Sequence, residues 1–491
     1  MENYIYISDS DVETILPQEK TNKKNNLVKI PNESGSEIID LEETKPKENH
    51  GFSKRKRYIS IENDSNSNSY NPNPTQKIKL KCTNNPKIEK SLCSKTIIEK
   101  ESSLEFPKGK VLLTNISDFP TDNSITFEKV IDGNNHKLQK AVMTTFVCDF
   151  EWLRRIIGKR LNLCLAMNFE KSLETATGPI KVNECTVLVN PPLRKTRYSV
   201  FHPKIMMLWY EGFVRLVIGS ANLIQFDWTC IQNIVFIQDF PLLDSKRDLE
   251  CGLIDLFQIS EFPSQVIDAC RYIDFTSFKH NFVFSIASSN DLPNKYGYLG
   301  LSQIVKSFGY KNMEYLRYQC SSLGFLDGEW VDKFCSALGI KHKVQVLFPT
   351  QKQAEESALG LEGASSIILN KYAYKSDKFP HKVLYKAESK RPGYLSHSKI
   401  MYSRCVETDM GWLYLGSHNF TKAAWGTSKN STEITLSNYE SGVVFQVLFV
   451  DEEIYVVNDP NDLSDISLLP LPFSTKWVPY DKQDKPWIQN G

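Results

Sequence analysis

With 491 residues, 41% of them hydrophobic and 24% charged, the chain is long enough for two or three domains and has the composition of an ordinary globular protein. Its opening, MENYIYISDSDVE, has no basic-then-apolar leader, and no later stretch reaches the ~20 uninterrupted apolar residues of a membrane span, so a soluble, non-secreted protein without membrane contact is expected. The formal net charge of +1 means that an anionic partner has to be met by a local patch, and eleven cysteines scattered from Cys82 to Cys405 without a CxxC pair read as reduced thiols, neither a disulfide framework nor a zinc site.

The first hundred residues are rich in Asn, Ser, Lys and Glu, with runs such as NDSNSNSYNPNPTQK that cannot bury enough apolar surface to fold. Residues 1–107 are therefore expected to form a disordered tail. Within it, KRKR at Lys54 to Arg57 has the form of a nuclear-import cluster, which is also the form of a solvated charge run. The segments EIIDLEE (Glu37 to Glu43) and YIYISDSDVE pair a short β-prone run with acids, a pattern that can add a strand to a SUMO-type or other sheet-edge partner and that also arises by chance in an acidic tail.

From Gly109 the texture changes. Apolar runs such as GKVLLTN alternate with amphipathic stretches such as EWLRRIIGKRLNL and CGLIDLFQI, the mixture of an α/β protein. A cluster of Ser, Asn, Asp, Pro and Gly between Ser285 and Gly297 marks a boundary, giving halves over 108–290 and 291–491.

Each half carries one copy of a repeated motif. FHPKIMMLWYEGFVRLVIGSAN runs from Phe201 to Asn222, and SHSKIMYSRCVETDMGWLYLGSHN runs from Ser396 to Asn419. The first reads as a β-hairpin turning at Glu211-Gly212, and pairing Tyr210 with Phe213 sets His202 opposite Ala221. His202 and Lys204 then share a face, with Asn222 at the end of the returning strand. In the second copy, His397 and Lys399 again share a face, and nineteen residues rather than seventeen separate the lysine from its asparagine, Asn419. An extra pair of residues can be absorbed in the longer turn CVETDM without flipping the partner strand. His418 alternates with Asn419 and is expected to point away; the remaining histidines, His136, His280 and His342 among them, have no comparable setting.

Two histidines, two lysines and two asparagines make a poor metal site, because a lysine repels a cation and ligand-spaced carboxylates or cysteines are lacking, so neither metal nor cofactor is expected. The set suits a phosphate: ammonium and amide groups hold the non-bridging oxygens while one imidazole attacks and the other protonates the leaving oxygen. At an effective dielectric of about 20, one lysine about 4 Å from an anionic oxygen contributes on the order of 4 kcal/mol.

Paired H-x-K…N motifs resemble the phospholipase D superfamily, whose fold implies two similar halves, each a mixed β-sheet flanked by helices, packed as a pseudo-twofold pair. Within it the chain resembles the tyrosyl-DNA phosphodiesterase branch. Phospholipase-type members carry an Asp five residues after the motif lysine, where this chain has Trp209 and Arg404, and CDFEWL, SANLIQFDW, QCSSLG, SHNFTKAAWG, NYESGVVF and VPYDKQDKPWI all look like the branch pattern. The resemblance covers about residue 108 to the C-terminus and leaves the tail outside.

It implies a DNA-repair hydrolase in which His202 attacks a 3′-phosphorus joined to the tyrosine of a topoisomerase I remnant, forming a phosphohistidine. His397 would be general acid and then base, and Lys204, Lys399, Asn222 and Asn419 would bind the phosphate. Glu440 matches the glutamate that orients the nucleophile, and the amide for the other histidine lies in CIQNIVF, where Gln232 or Asn233 fits and Gln232 is taken here. Arg194, Lys195 and Arg197 interleave with Tyr198 just before His202, joining phosphate attraction to a stacking surface; Arg197, Tyr198, Ser322 and Thr421 are the expected DNA contacts. The expected partners are DNA, single-stranded or at breaks, with a 3′-linked tyrosyl peptide; the protein is expected to be a nuclear monomer. The alternatives are a phospholipase D-type enzyme on another diester and an inactive binder of DNA ends. Preference among 3′-tyrosyl, 3′-phosphoglycolate and 5′-linked substrates stays open.

Overall fold

The computed structural model describes residues 104–168, 177–193, 199–248, 252–287, 292–341, 344–459 and 461–489. All but the last four residues of the expected tail, with its basic cluster and strand-like segments, fall outside the described residues. Those four are built into the fold: Glu105 and Phe106 donate their backbone N–H groups to Asp239 Oδ2, both at 3.1 Å. The ordered packing thus begins a few residues before the composition break at Gly109, because a buried carboxylate in the sheet needs these donors.

The first sheet has nine strands: β1 (Lys110–Thr114), β2 (Ser124–Ile125), β3 (Lys140–Thr144), β4 (Asn162–Ala166), β5 (Gly178–Asn183), β6 (Thr186–Asn190), β7 (Ile205–Trp209), β8 (Phe213–Gly219) and β9 (Ile234–Pro241), in the order β2-β1-β9-β8-β7-β3-β4-β6-β5. Residues of the central strands alternate between two cores. Met206 and Leu208 face helices α1 (Phe127–Ile131), α2 (Phe150–Ile157) and α3 (Gln225–Thr229), where Phe127 packs tilted against Trp152 and edge-on against Trp228, while Ile205, Met207 and Trp209 face the other core. Burial on both faces explains the unbroken apolar run IMMLW. Asp149 caps α2, accepting from Trp152 N at 2.9 Å, as the CDFEWL stretch requires.

The second sheet repeats the plan. It is built from β10 (Asn281–Ser285), β12 (Leu316–Gln319), β13 (Val344–Leu347), β14 (Leu384–Lys386), β15 (Ile400–Arg404), β16 (Met410–Gly416), β18 (Glu440–Val450), β19 (Glu453–Asp459), β20 (Asp462–Leu468) and β21 (Val478–Pro479); the short pair β11 (Leu292–Pro293) and β17 (Glu433–Ile434) stands apart. In the first half β7 runs antiparallel to β8 and to β3, and β3, β4 and β6 are parallel. In the second, β15 runs antiparallel to β16 and to β12, and β12, β13 and β14 are parallel. One core joins the halves, with Phe236 of β9 5.4 Å from Phe445 of β18 between ring centroids. Strand β10 precedes the expected boundary near Ser285 to Gly297 yet pairs with β18, so the second sheet takes its extra strand from the first stretch of chain.

The hairpin registers follow from the motif. Ile205 pairs with Ile218 and Ile400 with Leu415, so the two additional residues of the second copy lie in the turn after Arg404 and the register is kept. The motif glycines have a steric cause: a Cβ on Gly219 would lie 2.5 Å from Ile234 O, and one on Gly416 2.3 Å from Ser441 O.

Candidate active site

Both motif histidines sit just ahead of their strands, on segments pinned by the opposite half. His202 N donates to Tyr439 O at 3.1 Å, and His397 N donates to Gln232 O at 2.8 Å. Single β-bridges, Phe201 with Tyr439 and Gln232 with Ser396, complete the two crossings. Each half therefore holds the other's histidine by backbone bonds.

The residue after each crossing supplies the side chain. His202 Nδ1 lies 2.7 Å from Glu440 Oε2, a carboxylate that also accepts from Ser417 Oγ at 2.5 Å and from Asn438 Nδ2 at 3.1 Å. His397 Nδ1 lies 3.0 Å from Asn233 Oδ1, which also accepts from Ser220 Oγ at 2.8 Å, while Asn233 Nδ2 donates to Asp227 O at 2.9 Å. Ser220 and Ser417 are the serines of the two Gly-Ser-x-Asn closings. In both copies they fix the group that reaches across to the opposite histidine. With Nδ1–H donated, each Nε2 is left as the reactive nitrogen.

This geometry corrects the assignment of Gln232. Its Nε2 donates to Ser389 Oγ and Tyr394 O, at 2.9 and 2.7 Å, so the side chain turns into the 389–394 loop. Successive side chains alternate as the chain enters β9, so only one of Gln232 and Asn233 can face His397, and the one that does is Asn233. Gln232 holds His397 through its backbone carbonyl instead.

Lys204 and Lys399 are buried, and their Nζ atoms reach back to the carbonyls of His202 and His397, at 2.9 and 2.6 Å. Burial pushes the Lys204 ammonium down to about 8 against the attraction of Glu440 and Asp227. Burial and the neighbouring Lys204 hold Lys399 well below the usual lysine value. Burial and both lysines likewise hold His202 and His397 well below the ordinary histidine value, and burial raises Glu440. The centre is a buried cradle in which two lysines face the carboxylates of Glu440 and Asp227, and an anion bound between the lysines would favour their charged forms.

The two asparagines are held by different means. Asn222 donates its backbone N–H and its Nδ2 to Asp227 Oδ2, at 2.6 and 2.9 Å. Asn419 Oδ1 accepts from Ser321 N and Oγ, both at 3.2 Å, and from Ser322 N at 3.0 Å, leaving its Nδ2 to face a ligand. Ser322 therefore adjoins the cradle through its backbone. The Thr421 hydroxyl caps the short helix Lys422–Trp425, accepting from Ala424 N at 3.1 Å. Arg197 and Tyr198 lie outside the described residues. His418 bonds Tyr414 and Ser285 and stacks on Trp425, away from the cradle, as its alternation with Asn419 requires.

Two residues near the centre were assigned no role from the sequence. Asp227 is buried beside Asn222 and His397. Phe146, 39% exposed, places its ring 5.4 Å from that of His202, with Lys204 Nζ 6.0 Å from its centroid. Asp227 lay within the quoted SANLIQFDW stretch, where its N-terminal position in a short helix was the available clue. Nothing in the sequence marked Phe146, since it approaches His202 from another strand end.

The family model for tyrosyl-DNA phosphodiesterases matches residues 110–481, which carry every element of this centre. The chain belongs to the tyrosyl-DNA phosphodiesterase family. It is 24% identical to tyrosyl-DNA phosphodiesterase 1 of Arabidopsis thaliana, over 76% of this chain and 72% of the relative, and 24% identical to that of Drosophila melanogaster, over 77% and 73%. The fold is that of the crystal structure of yeast tyrosyl-DNA phosphodiesterase, with a TM-score of 0.59 at 17% identity, covering 78% of this chain and 99% of the other. As a member of the tyrosyl-DNA phosphodiesterase family it is a phosphodiesterase, with the two similar halves of the phospholipase D fold.

Proposed function

We propose that this phosphodiesterase acts in DNA repair, hydrolysing the 3′-phosphotyrosyl bond that joins DNA to a topoisomerase I remnant, through a covalent phosphohistidine. The observation that carries the reading is the pairing of each histidine with an acceptor at Nδ1, Glu440 for His202 and Asn233 for His397, which leaves both Nε2 atoms free for chemistry at one phosphate.

In the first step His202 Nε2 attacks phosphorus, the bond from phosphorus to the tyrosyl oxygen breaks, and a proton on His397 Nε2 passes to that oxygen. Glu440 stabilises the positive charge that develops on the His202 ring. Lys204, Lys399, Asn222 and Asn419 take the non-bridging oxygens, so ammonium groups do the charge neutralisation that a metal does elsewhere. In the second step His397 takes a proton from water, the hydroxide oxygen bonds to phosphorus, and the phosphorus–nitrogen bond breaks to free His202 and a 3′-phosphate. Ser322, Thr421, Arg197 and Tyr198 are placed by this reading along the DNA strand, and the KRKR cluster supports action in the nucleus.

Labelled 3′-phosphotyrosyl DNA, 5′-phosphotyrosyl DNA and phosphatidylcholine, each incubated with the full-length protein in EDTA, test the reading. Release of tyrosine from the 3′-linked DNA alone is expected. Turnover of the lipid, of the 5′-linked DNA alone, or of none of the three would overturn it, and activity that vanishes in chelator and returns with magnesium would sink the metal-free mechanism.

A further inference from the structure

The two halves match in the histidine, lysine and asparagine of the cradle but differ in the groups that support them. Five residues after Asn222 stands Asp227, whereas five residues after Asn419 stands Ala424. Asp227 is 1% exposed. Its Oδ2 accepts both bonds from Asn222 and lies 3.7 Å from His397 Nδ1, and its Oδ1 is buried without a hydrogen-bond partner.

A second asymmetry mirrors the first. At the position that faces the opposite histidine, the second half offers the carboxylate of Glu440 and the first half offers the neutral amide of Asn233. His202 thus has a carboxylate in hydrogen-bond contact at Nδ1, whereas the carboxylate facing His397 Nδ1, that of Asp227, stands 3.7 Å away. Yet His397 is the ring that has to carry a proton to the leaving oxygen. The charged and titratable groups that face it are Lys399, Lys204 and His202, all of which disfavour an imidazolium, and Asp227. A lone amide supplies no net charge; burial raises the Asp227 carboxyl while Lys399 and Lys204 favour its ionised form, and at 3.7 Å from His397 Nδ1 it is the carboxylate placed to offset those cations at the ring.

We propose that Asp227 is a positioning residue for this reaction, holding the proton on His397 by its charge and holding Asn222 against the phosphate by its Oδ2. The inference rests on the reaction described above. It divides the work between the carboxylates: Glu440 serves the nucleophile and Asp227 serves the acid.

The test compares full-length wild type, Asp227→Asn and Asp227→Glu on 3′-phosphotyrosyl DNA, with kcat and KM read across pH, and follows the His397 imidazole by NMR titration in saturating inorganic phosphate. An amide at 227 keeps an acceptor for Asn222 and removes the charge. The alkaline limb of kcat/KM and the His397 midpoint should both move to lower pH by about one unit or more in Asp227→Asn, with KM changing by less than about threefold, and Asp227→Glu should return them toward wild type. Limbs and midpoints that superpose on wild type, or a loss equal at every pH, would overturn the proposal. Wild type inactive on this DNA would defeat the reading of function instead, and the NMR midpoints would still decide the role of Asp227. Should Asp227→Asn fail to fold, the carboxyl carbon shift of Asp227 in wild type decides: ionised at pH 7 supports the proposal, protonated overturns it.

Discussion

His202 Nδ1 and Glu440 Oε2 stand 2.7 Å apart although the two residues belong to opposite halves. The carboxylate fixes the tautomer that leaves Nε2 free and stabilises the charge that attack creates on the ring. Glu440→Gln keeps the size and an amide acceptor but removes the charge that stabilises the ring during attack. We expect kcat to fall about 100-fold or more with KM little changed; steady-state kinetics on 3′-phosphotyrosyl DNA checks this, and a change confined to KM would refute that stabilising role.

The two histidines separate on a denaturing gel. His202→Ala has no imidazole to bond phosphorus and should be inactive without any protein–DNA adduct. His397→Ala keeps His202, Glu440 and both lysines, and the tyrosyl oxygen, with a phenol pKa near ~10, leaves without much acid help. Water activation is then the step that suffers, so the adduct should accumulate. Adduct from His202→Ala but not from His397→Ala would exchange the roles.

Lys204 gives the site an alkaline limit for binding. Burial depresses it to about 8, so its charge is present below that pH and is lost as pH rises through it. KM for a phosphodiester should therefore rise from about pH 8 upward, and Lys204→Met should raise KM and flatten that rise. A KM independent of pH between neutrality and about pH 9 in wild type would show that Lys204 keeps its charge in the complex.

Fold stability hangs on a charge inside the first sheet. Arg215 is fully buried in β8, with its Nε 2.7 Å from Asp239 Oδ1 and its Nη2 3.1 Å from Asp239 Oδ2 and 3.0 Å from Glu105 Oε2. Removing one partner leaves the other charged in the core. Asp239→Ala should cost about 3–5 kcal/mol in denaturant unfolding, and truncation to residue 108 should weaken the protein by deleting Glu105 and Phe106, whereas truncation to residue 103 should not. Equal midpoints for the two truncations would show that the segment from Leu104 to Pro107 adds nothing.

The sequence by itself determined the two-half α/β plan, the hairpin register and six of the residues of the cradle. These were legible because they are local and repeated: one motif fixes its own strand pairing through an alternation of period two, and a second copy at matched spacing removes chance. A two-residue difference between the copies was also readable, since only an odd shift would turn the side chains over.

Tertiary structure alone decided what crosses between the halves. Whether Gln232 or Asn233 meets His397 depends on which way β9 turns its first side chains toward a loop more than 150 positions later, and no spacing within CIQNIVF carries that information. Asp227 became a member of the site because α3 sets it behind Asn222, while Ala424 at the equivalent position is silent. The extra strand β10 joined the second sheet because the edge of β18 was open to it, whatever the composition of the following turn. Local pattern specifies each half of the cradle, and packing specifies how each half charges and orients the other, because the deciding distances run between segments far apart in the chain.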